Sequence, residues 1–275
     1  MSAFEAFVRV AERALPAGHA GLDACADALR DLSRSDALRE RVARELEALA
    51  ARPTHTPSVS ASRHYWVLWA AGGAKLTLVR VAAGEGDDAG YLTDSASHQL
   101  LAAVGPDPVV GDRYEQDAAP DPEVMRAEYP LTRRERVTLR EGEVLSLRAR
   151  RDVFDFLPLP EARYLLILDG PRVHTQQWVY ARETGTPVAS LAADPHDARL
   201  EAAMRLLRVL SHTAAAPVVA SFATHDAHFV RWTAIRHTMG LDPERGVELL
   251  RAALDDPHPH VRNAARKALQ RVDGV

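Results

Sequence analysis

The stretch Leu131–Leu157, LTRRERVTLREGEVLSLRARRDVFDFL, decides how the rest of the chain is read. Apolar residues alternate with polar ones through Val137, Leu139, Leu145 and Leu147, and Glu141-Gly142 divides the run. A period of two predicts three short strands, each with one buried face, joined by tight turns. The same period continues outward in both directions, from His64 to about Leu191. HYWVLWA, AKLTLVRVAA, HQLLAAV and PVVGDRYE read as strands before the central stretch, and ARYLLILDG, TQQWVYARE and TPVASLAA after it. Gly72-Gly73 and Thr184-Gly185 mark two further hairpin turns. About ten short strands in ~130 residues predict a β-sandwich or jelly-roll barrel.

Charge is distributed unevenly across this region. Between Glu85 and Glu123 there are ten acidic residues against Arg113 alone, whereas Arg133 to Arg151 holds seven arginines against three glutamates. Alternation of these arginines with apolar residues places them on the outward face of half-buried strands. Neutralisation by the acidic loops and a groove for an anionic group are the two other readings.

On either side the period changes to 3.6. Residues 3–51 predict three amphipathic helices, with Phe4, Phe7, Val8, Ala11 and Leu15 on the first stripe and Leu22, Cys25, Leu29 and Leu32 on the second. Ser35 is the expected N-cap of the third, and Pro53 and Pro57 close the segment. After Pro195, DARLEAAMRLLRVL predicts a helix burying Leu200, Met204, Leu207 and Leu210. An internal repeat follows: residues 228–236, HFVRWTAIR, match residues 259–267, PHVRNAARK, at a period of 31, with Val230, Arg231 and Ala234 answering Val261, Arg262 and Ala265.

Bulk composition narrows the function classes. With 275 residues, 47% hydrophobic and 26% charged, the chain has the make-up of a soluble globular protein with room for a sizeable core. A formal net charge of −4 argues against nucleic acid and anionic membrane as partners. The single cysteine, Cys25, excludes an internal disulfide and a cysteine-based zinc site, and its helical spacing among leucines predicts a small buried hydrophobe. The N-terminus lacks the long apolar core of a signal peptide, so a cytoplasmic location is expected. Neither a Gly-x-Ser-x-Gly nucleophile elbow nor a phosphate-binding glycine loop is present.

LLRAALDDPHPHVRNAARKAL resembles a HEAT-type repeat through Leu250, Leu254, Asp256, Pro257, Val261, Arg262, Ala265 and Leu269. The upstream copy has Thr224-His225-Asp226 in place of the Asp-Pro turn. The resemblance, over about residues 198–272, implies stacked helical hairpins that bind proteins or peptides. LREGEVLSLRARRDVFDF is similar, more loosely, to the second conserved segment of the cupin barrel. Gly142 matches its turn, and Val144, Leu145 and Leu147 match its strand. Where that family places a metal-binding histidine, this chain has Asp152 or Val153, and His98 lacks the His-x-His partner of the first segment.

The expected fold is therefore α+β, with an N-terminal helical segment (1–52), a cupin-like β jelly roll (58–193) and HEAT-like helical hairpins (196–275). The favoured function is a non-catalytic binding or scaffold protein holding a protein or peptide partner through Trp232, Arg231 and Arg262, without a cofactor. The alternatives are a metal-dependent (non-haem iron) cupin-type oxygenase, with iron or zinc bound by atypical ligands drawn from His64, His98, His174, Asp152 and Asp155, and a small-molecule-sensing barrel. A pocket would be formed by Arg148, Arg150, Asp152, Asp155 and Trp178. The histidines at 225, 228, 258 and 260 are expected at one turn edge of two stacked units, where a metal or proton-sensitive patch is weighed against ordinary solvent-facing turns.

Overall fold

The computed structural model describes residues 2–52, 64–81, 90–117, 121 and 123–273; Pro53, Pro57 and most of the acidic GEGDDAG loop lie outside them. The chain divides into two compact units, Met1–Ser190 and Leu191–Val275.

In the first unit the N-terminal helices are α1 (Ala3–Ala14), α2 (His19–Asp23), α3 (Ala26–Arg34) and α4 (Ala37–Ala51). Ser2 and Glu5 form a reciprocal capping box that satisfies the first free amides of α1. The second expected helix is broken between Asp23 and Ala26, and Ser35 ends α3 while Asp36 holds the cap position of α4.

The strands are β1 (Tyr65–Ala71), β2 (Ala74–Val81), β3 (Tyr91–Thr93), β4 (Ser97–Val104), β5 (Val109–Gln116), β6 (Leu131–Leu139), β7 (Val144–Leu147), β8 (Asp152–Phe156), β9 (Arg163–Arg172), β10 (Gln176–Ala181) and β11 (Pro187–Ala192). All ten expected strands are present; β3, only three residues long, was not signalled by alternation. They form a five-stranded sheet in the order β1-β2-β9-β4-β7 and two three-stranded sheets, β11-β10-β3 and β6-β5-β8. Gly72, Gly73, Gly142 and Gly185 all take positive φ, the conformation their turns require.

Alternation gives the five-stranded sheet two buried faces. Leu168 sits between Leu76 of β2 and Leu100 of β4. These three pack with Leu68, Ala102 and Leu166 against Phe7, Ala11, Leu22, Cys25, Leu29 and Leu32 of the helices. The N-terminal helices thus share a core with the sheet. The opposite face, through Leu101, Ala103 and Leu165, meets Val109, Leu139, Leu147, Phe154 and Phe156. A third cluster joins Leu92, Leu131, Val153, Trp178 and Tyr180.

The second unit holds α5 (Pro195–Val209), α6 (Ala216–Ser221), α7 (His228–Leu241), α8 (Pro243–Ala252) and α9 (Pro259–Asp273). Asp194-Pro195 and Asp242-Pro243 open α5 and α8, each aspartate capping a backbone amide and each proline supplying the preset φ of a first turn. The repeat positions are equivalent in three dimensions. Val230 and Ala234 pack with Met204 and Val219, whereas Val261 and Ala265 pack with Ile235 and Leu250. No helix among the described residues is long and apolar enough to cross a membrane.

Candidate binding groove and the β-domain interior

The arginine-rich stretch Arg133–Arg151 is neutralised from within its own domain. Asp112 of β5 accepts from Arg133 at 2.8 Å and Arg136 at 3.0 Å. Glu115 accepts from Arg148 at 2.7 Å, Arg134 at 3.2 Å and Arg151 at 3.3 Å. Asp152 is buried, pairing with Arg148 through Nε at 2.7 Å and with Arg113 at 3.1 Å. Burial alone would raise its carboxyl pKa; the Arg148 side chain and amide and the Arg113 guanidinium outweigh that and hold it below the ordinary value. These arginines serve as partners for β5 and β8 rather than as a purely solvated face, because β5 brings the acidic segment into register with both strands.

Arg150 and Trp178 are likewise structural, which corrects the expected pocket. Arg150, 2% exposed, pairs with buried Asp94 at 3.1 Å, donates to the Gln176 carbonyl at 2.7 Å and lies 4.2 Å from the centre of the Trp178 ring. Asp94 also accepts from the Trp178 amide and the Tyr180 hydroxyl. Burial pushes its pKa up to about 6, against the opposing pull of Arg150 and these donors, so it is ionised at neutral pH. Asp155 is the member of the expected pocket that borders a cleft, of about 330 Å³, and its carboxylate is paired with Arg182 there.

The three expected metal ligands take separate roles. His64 precedes β1, and its carbonyl accepts from the Arg80 amide. His98 stacks on His19 of α2, with ring centres 4.0 Å apart, and its Nδ1 accepts from the Ala149 amide. Burial, followed by the neighbouring His19 and His174, lowers its pKa. His174 shares a 2.7 Å hydrogen bond with Glu123, whose other oxygen accepts from Thr175 at 2.7 Å. Burial would raise Glu123; His174 and Thr175 overcome it and bring its pKa down to about 2. Among the described residues no three of these side chains come together as a ligand set. Between the sheets the interior is occupied instead by the leucine, valine and phenylalanine cluster.

Of the expected partner-binding residues, Arg231 and Arg262 make contacts within the helical unit. Arg231 is 8% exposed and makes a two-pronged pair with Asp256, at 2.8 Å and 2.7 Å, while Nη1 donates to the carbonyls of His225 and Asp226. Arg262 repeats the second half of this device, donating to the carbonyls of Asp256 and Pro257 at 2.7 Å and 2.8 Å. Each Val-Arg pair therefore clamps the turn before its own helix. Trp232 is half-buried against Ile235, Leu250 and Val261.

A groove lies between α5 and α7. Its volume is about 470 Å³, and its lining includes Ala202, Arg205, Leu206, Val209, Arg236 and His237. The buried stripe of α5 stops at Leu207, so Leu210, expected inside, is 66% exposed beside Leu206 at 57% and Val209 at 71%. Arg205, Arg208 and Arg236 are exposed, and no carboxylate among the described residues pairs with them. His237 is 4% exposed, and neither of its ring nitrogens has a hydrogen-bond partner among the described residues. Burial, then the charges of Arg236, Arg208 and Arg205, lower its pKa and keep the imidazole neutral. The groove was missed from sequence because its arginines come from two helices about thirty residues apart, with no motif linking them.

Comparison with known proteins adds the following. Residues 186–270 match the family described as HEAT repeats. No curated protein matches the sequence. Among solved structures, Fe(II)-HppE with the alternative substrate (S)-1-HPP is 13% identical over 39% of this chain and 50% of its own, with a TM-score of 0.27. Hydroxypropylphosphonic acid epoxidase from S. wedmorenis in complex with fosfomycin is 13% identical over 42% and 57%, with a TM-score of 0.28. A cupin protein from Bacteroides fragilis is 11% identical over 43% of this chain and 86% of its own, with a TM-score of 0.27. The chain spans about half the length of the first of these.

Proposed function

We propose that this chain is a non-catalytic binding or scaffold protein whose helical unit holds a peptide or protein partner in the α5–α7 groove. The observation that carries the reading is the groove itself, edged by Arg205 and Arg236, which no carboxylate among the described residues pairs, and by the exposed aliphatic side chains of Leu206 and Val209. Leu206 and Val209 would seat apolar anchors, and Arg205 and Arg236 would select acidic flanks. The partner is thus an amphipathic acidic segment. The HEAT-repeat match supports the same reading, since stacked helical hairpins present extended surfaces of this kind. In the β-domain, the apolar interior and the arginine-paired carboxylates favour a structural role over chemistry.

Selection of a random displayed peptide library against the full chain tests this. The expected result is enrichment of sequences that place Asp or Glu beside Leu, Ile or Phe. Binding of a selected peptide should weaken at least about tenfold in the Arg205→Glu/Arg236→Glu variant and should fall with added salt. No enrichment, or equal affinity in a variant with unchanged circular dichroism, overturns the proposal.

A further inference from the structure

We propose that His228, His258 and His260 form a binding site for one divalent transition-metal ion of the zinc class, clipping two neighbouring helical repeats together. The site arises from the repeat itself. His228 is the first residue of α7, while His258 immediately precedes α9 and His260 is its second residue. Stacking the hairpins sets these two helix starts side by side. The rings of His228 and His258 lie parallel, 3.6 Å between centres with an interplanar angle of 8°. The His260 ring stands across His258 at 5.2 Å and 81°. One nitrogen or equivalent ligand atom from each of the three lies within 4.8 Å of the others.

Coordination requires the His228 or the His258 ring to turn out of this stack, because in-plane lone pairs of two parallel rings 3.6 Å apart cannot converge on one ion. His228 and His258 are 8% and 9% exposed. The His258 amide donates to Asp256 Oδ1 at 2.8 Å, and that carboxylate is itself fixed by Arg231 at 2.7 Å. This pair fixes the backbone of the turn that carries His258. His258 Nδ1 accepts a long 3.3 Å bond from the His260 amide, which metal ligation gives up: Nδ1 would bind the ion itself, or it would carry the ring proton when Nε2 binds. His260 is exposed and free to turn toward the other two, closing the ligand atoms to the spacing of about 3.3–3.5 Å that a tetrahedral ion with zinc–nitrogen bonds of about 2.0–2.1 Å requires. A set of three imidazoles selects zinc, nickel or copper over magnesium or calcium, which need oxygen ligands. With three protein ligands, the fourth position falls to water. His225 belongs to a different arrangement: its Nδ1 accepts from the Ala227 amide, and its Nε2 lies 3.7 Å from Asp197.

Titration of the full, untagged chain with zinc chloride, followed by calorimetry, tests the site. The expected result is one equivalent bound with Kd of about 10 μM or tighter, and a melting midpoint raised by about 5 °C at saturation. His260→Ala, an exposed position whose loss leaves the core intact, should weaken binding at least about tenfold and abolish the shift, whereas His225→Ala should preserve both. As a second readout, cobalt(II) should give the intense visible bands of a tetrahedral site in the wild type and lose them in His260→Gln. Absence of binding at about 100 μM zinc, or equal affinity in the wild type and His260→Ala, overturns the proposal.

Discussion

At the scale of single residues, Asp94 and Glu123 give the β-domain two opposite responses to pH. Asp94 has a folded pKa raised to about 6, so it binds its proton more tightly in the folded than in the unfolded chain. Its stabilising contribution is present below the ordinary carboxylate range and is lost as pH rises through 6. Glu123, brought down to about 2, does the reverse: its contribution is present above about 4.5 and is lost as pH falls toward 2. Urea unfolding at a series of pH values should therefore flatten between pH 4 and 6 in Asp94→Asn, and between pH 2 and 4.5 in Glu123→Gln. Arg150 holds this centre together from a strained position, with φ at +65°, its amide donating to the Ser95 carbonyl. Arg150→Ala should cost roughly 3–5 kcal/mol at pH 7 by leaving Asp94 buried and unpaired. The loss should shrink as the pH is lowered, when Asp94 can take up a proton. An equal loss at pH 5 and pH 7 would show that packing on Trp178, rather than the charge, is what Arg150 supplies.

Among the elements, the clearest contrast is between the two copies of the Val-Arg repeat. Arg231 spans from its own turn to Asp256 of the next hairpin, whereas Arg262, among the described residues, reaches the carbonyls of its own turn. Arg231→Ala should destabilise the helical unit by about 3–5 kcal/mol, since it abandons a buried carboxylate. Arg262→Ala should cost about 1 kcal/mol. Denaturant melts of the two variants separate these outcomes, and equal losses would show that the contact with Asp256 adds nothing. The repeat was readable as Val-Arg-x-x-Ala because local spacing determines which residues line a helix face. What Arg231 binds was not, because Asp256 lies 25 residues away and only the stacking of hairpins brings it near. The same limit governs β8. Asp152 and Asp155 were expected in one pocket, but Arg113 and Arg182, which neutralise them, come from β5 and from the turn after β10. Leu210 was misassigned for a related reason: the periodic stripe on α5 runs on past the last neighbour able to cover it.

Over the whole molecule, the hydrophobic clusters are divided between the two compact units. Phe7, Leu22, Leu100 and Leu168 share one cluster of the first unit, and Ile235, Leu250 and Val261 share one of the second. Leu168→Ala should cost about 2–5 kcal/mol, with the lost amide protection in hydrogen exchange confined to residues before Ser190. Loss of protection across α7–α9 in that variant would contradict the division. The overall plan of helices, antiparallel strands and helical hairpins follows from periodicity, which the backbone imposes locally. The location of charge-bearing sites depends on strand order and hairpin stacking, which periodicity leaves open. Cys25 turns this architecture into an instrument. It is the chain's single thiol, it is fully buried among Leu22, Leu29 and Leu168, and its Sγ donates to the Gly21 carbonyl at 3.3 Å. Burial also raises its pKa, so little thiolate exists at neutral pH. A maleimide can then reach the sulfur only during excursions in which the helical layer lifts from the sheet. The alkylation rate under native conditions becomes a stopwatch for that opening, read at one atom without introducing a probe.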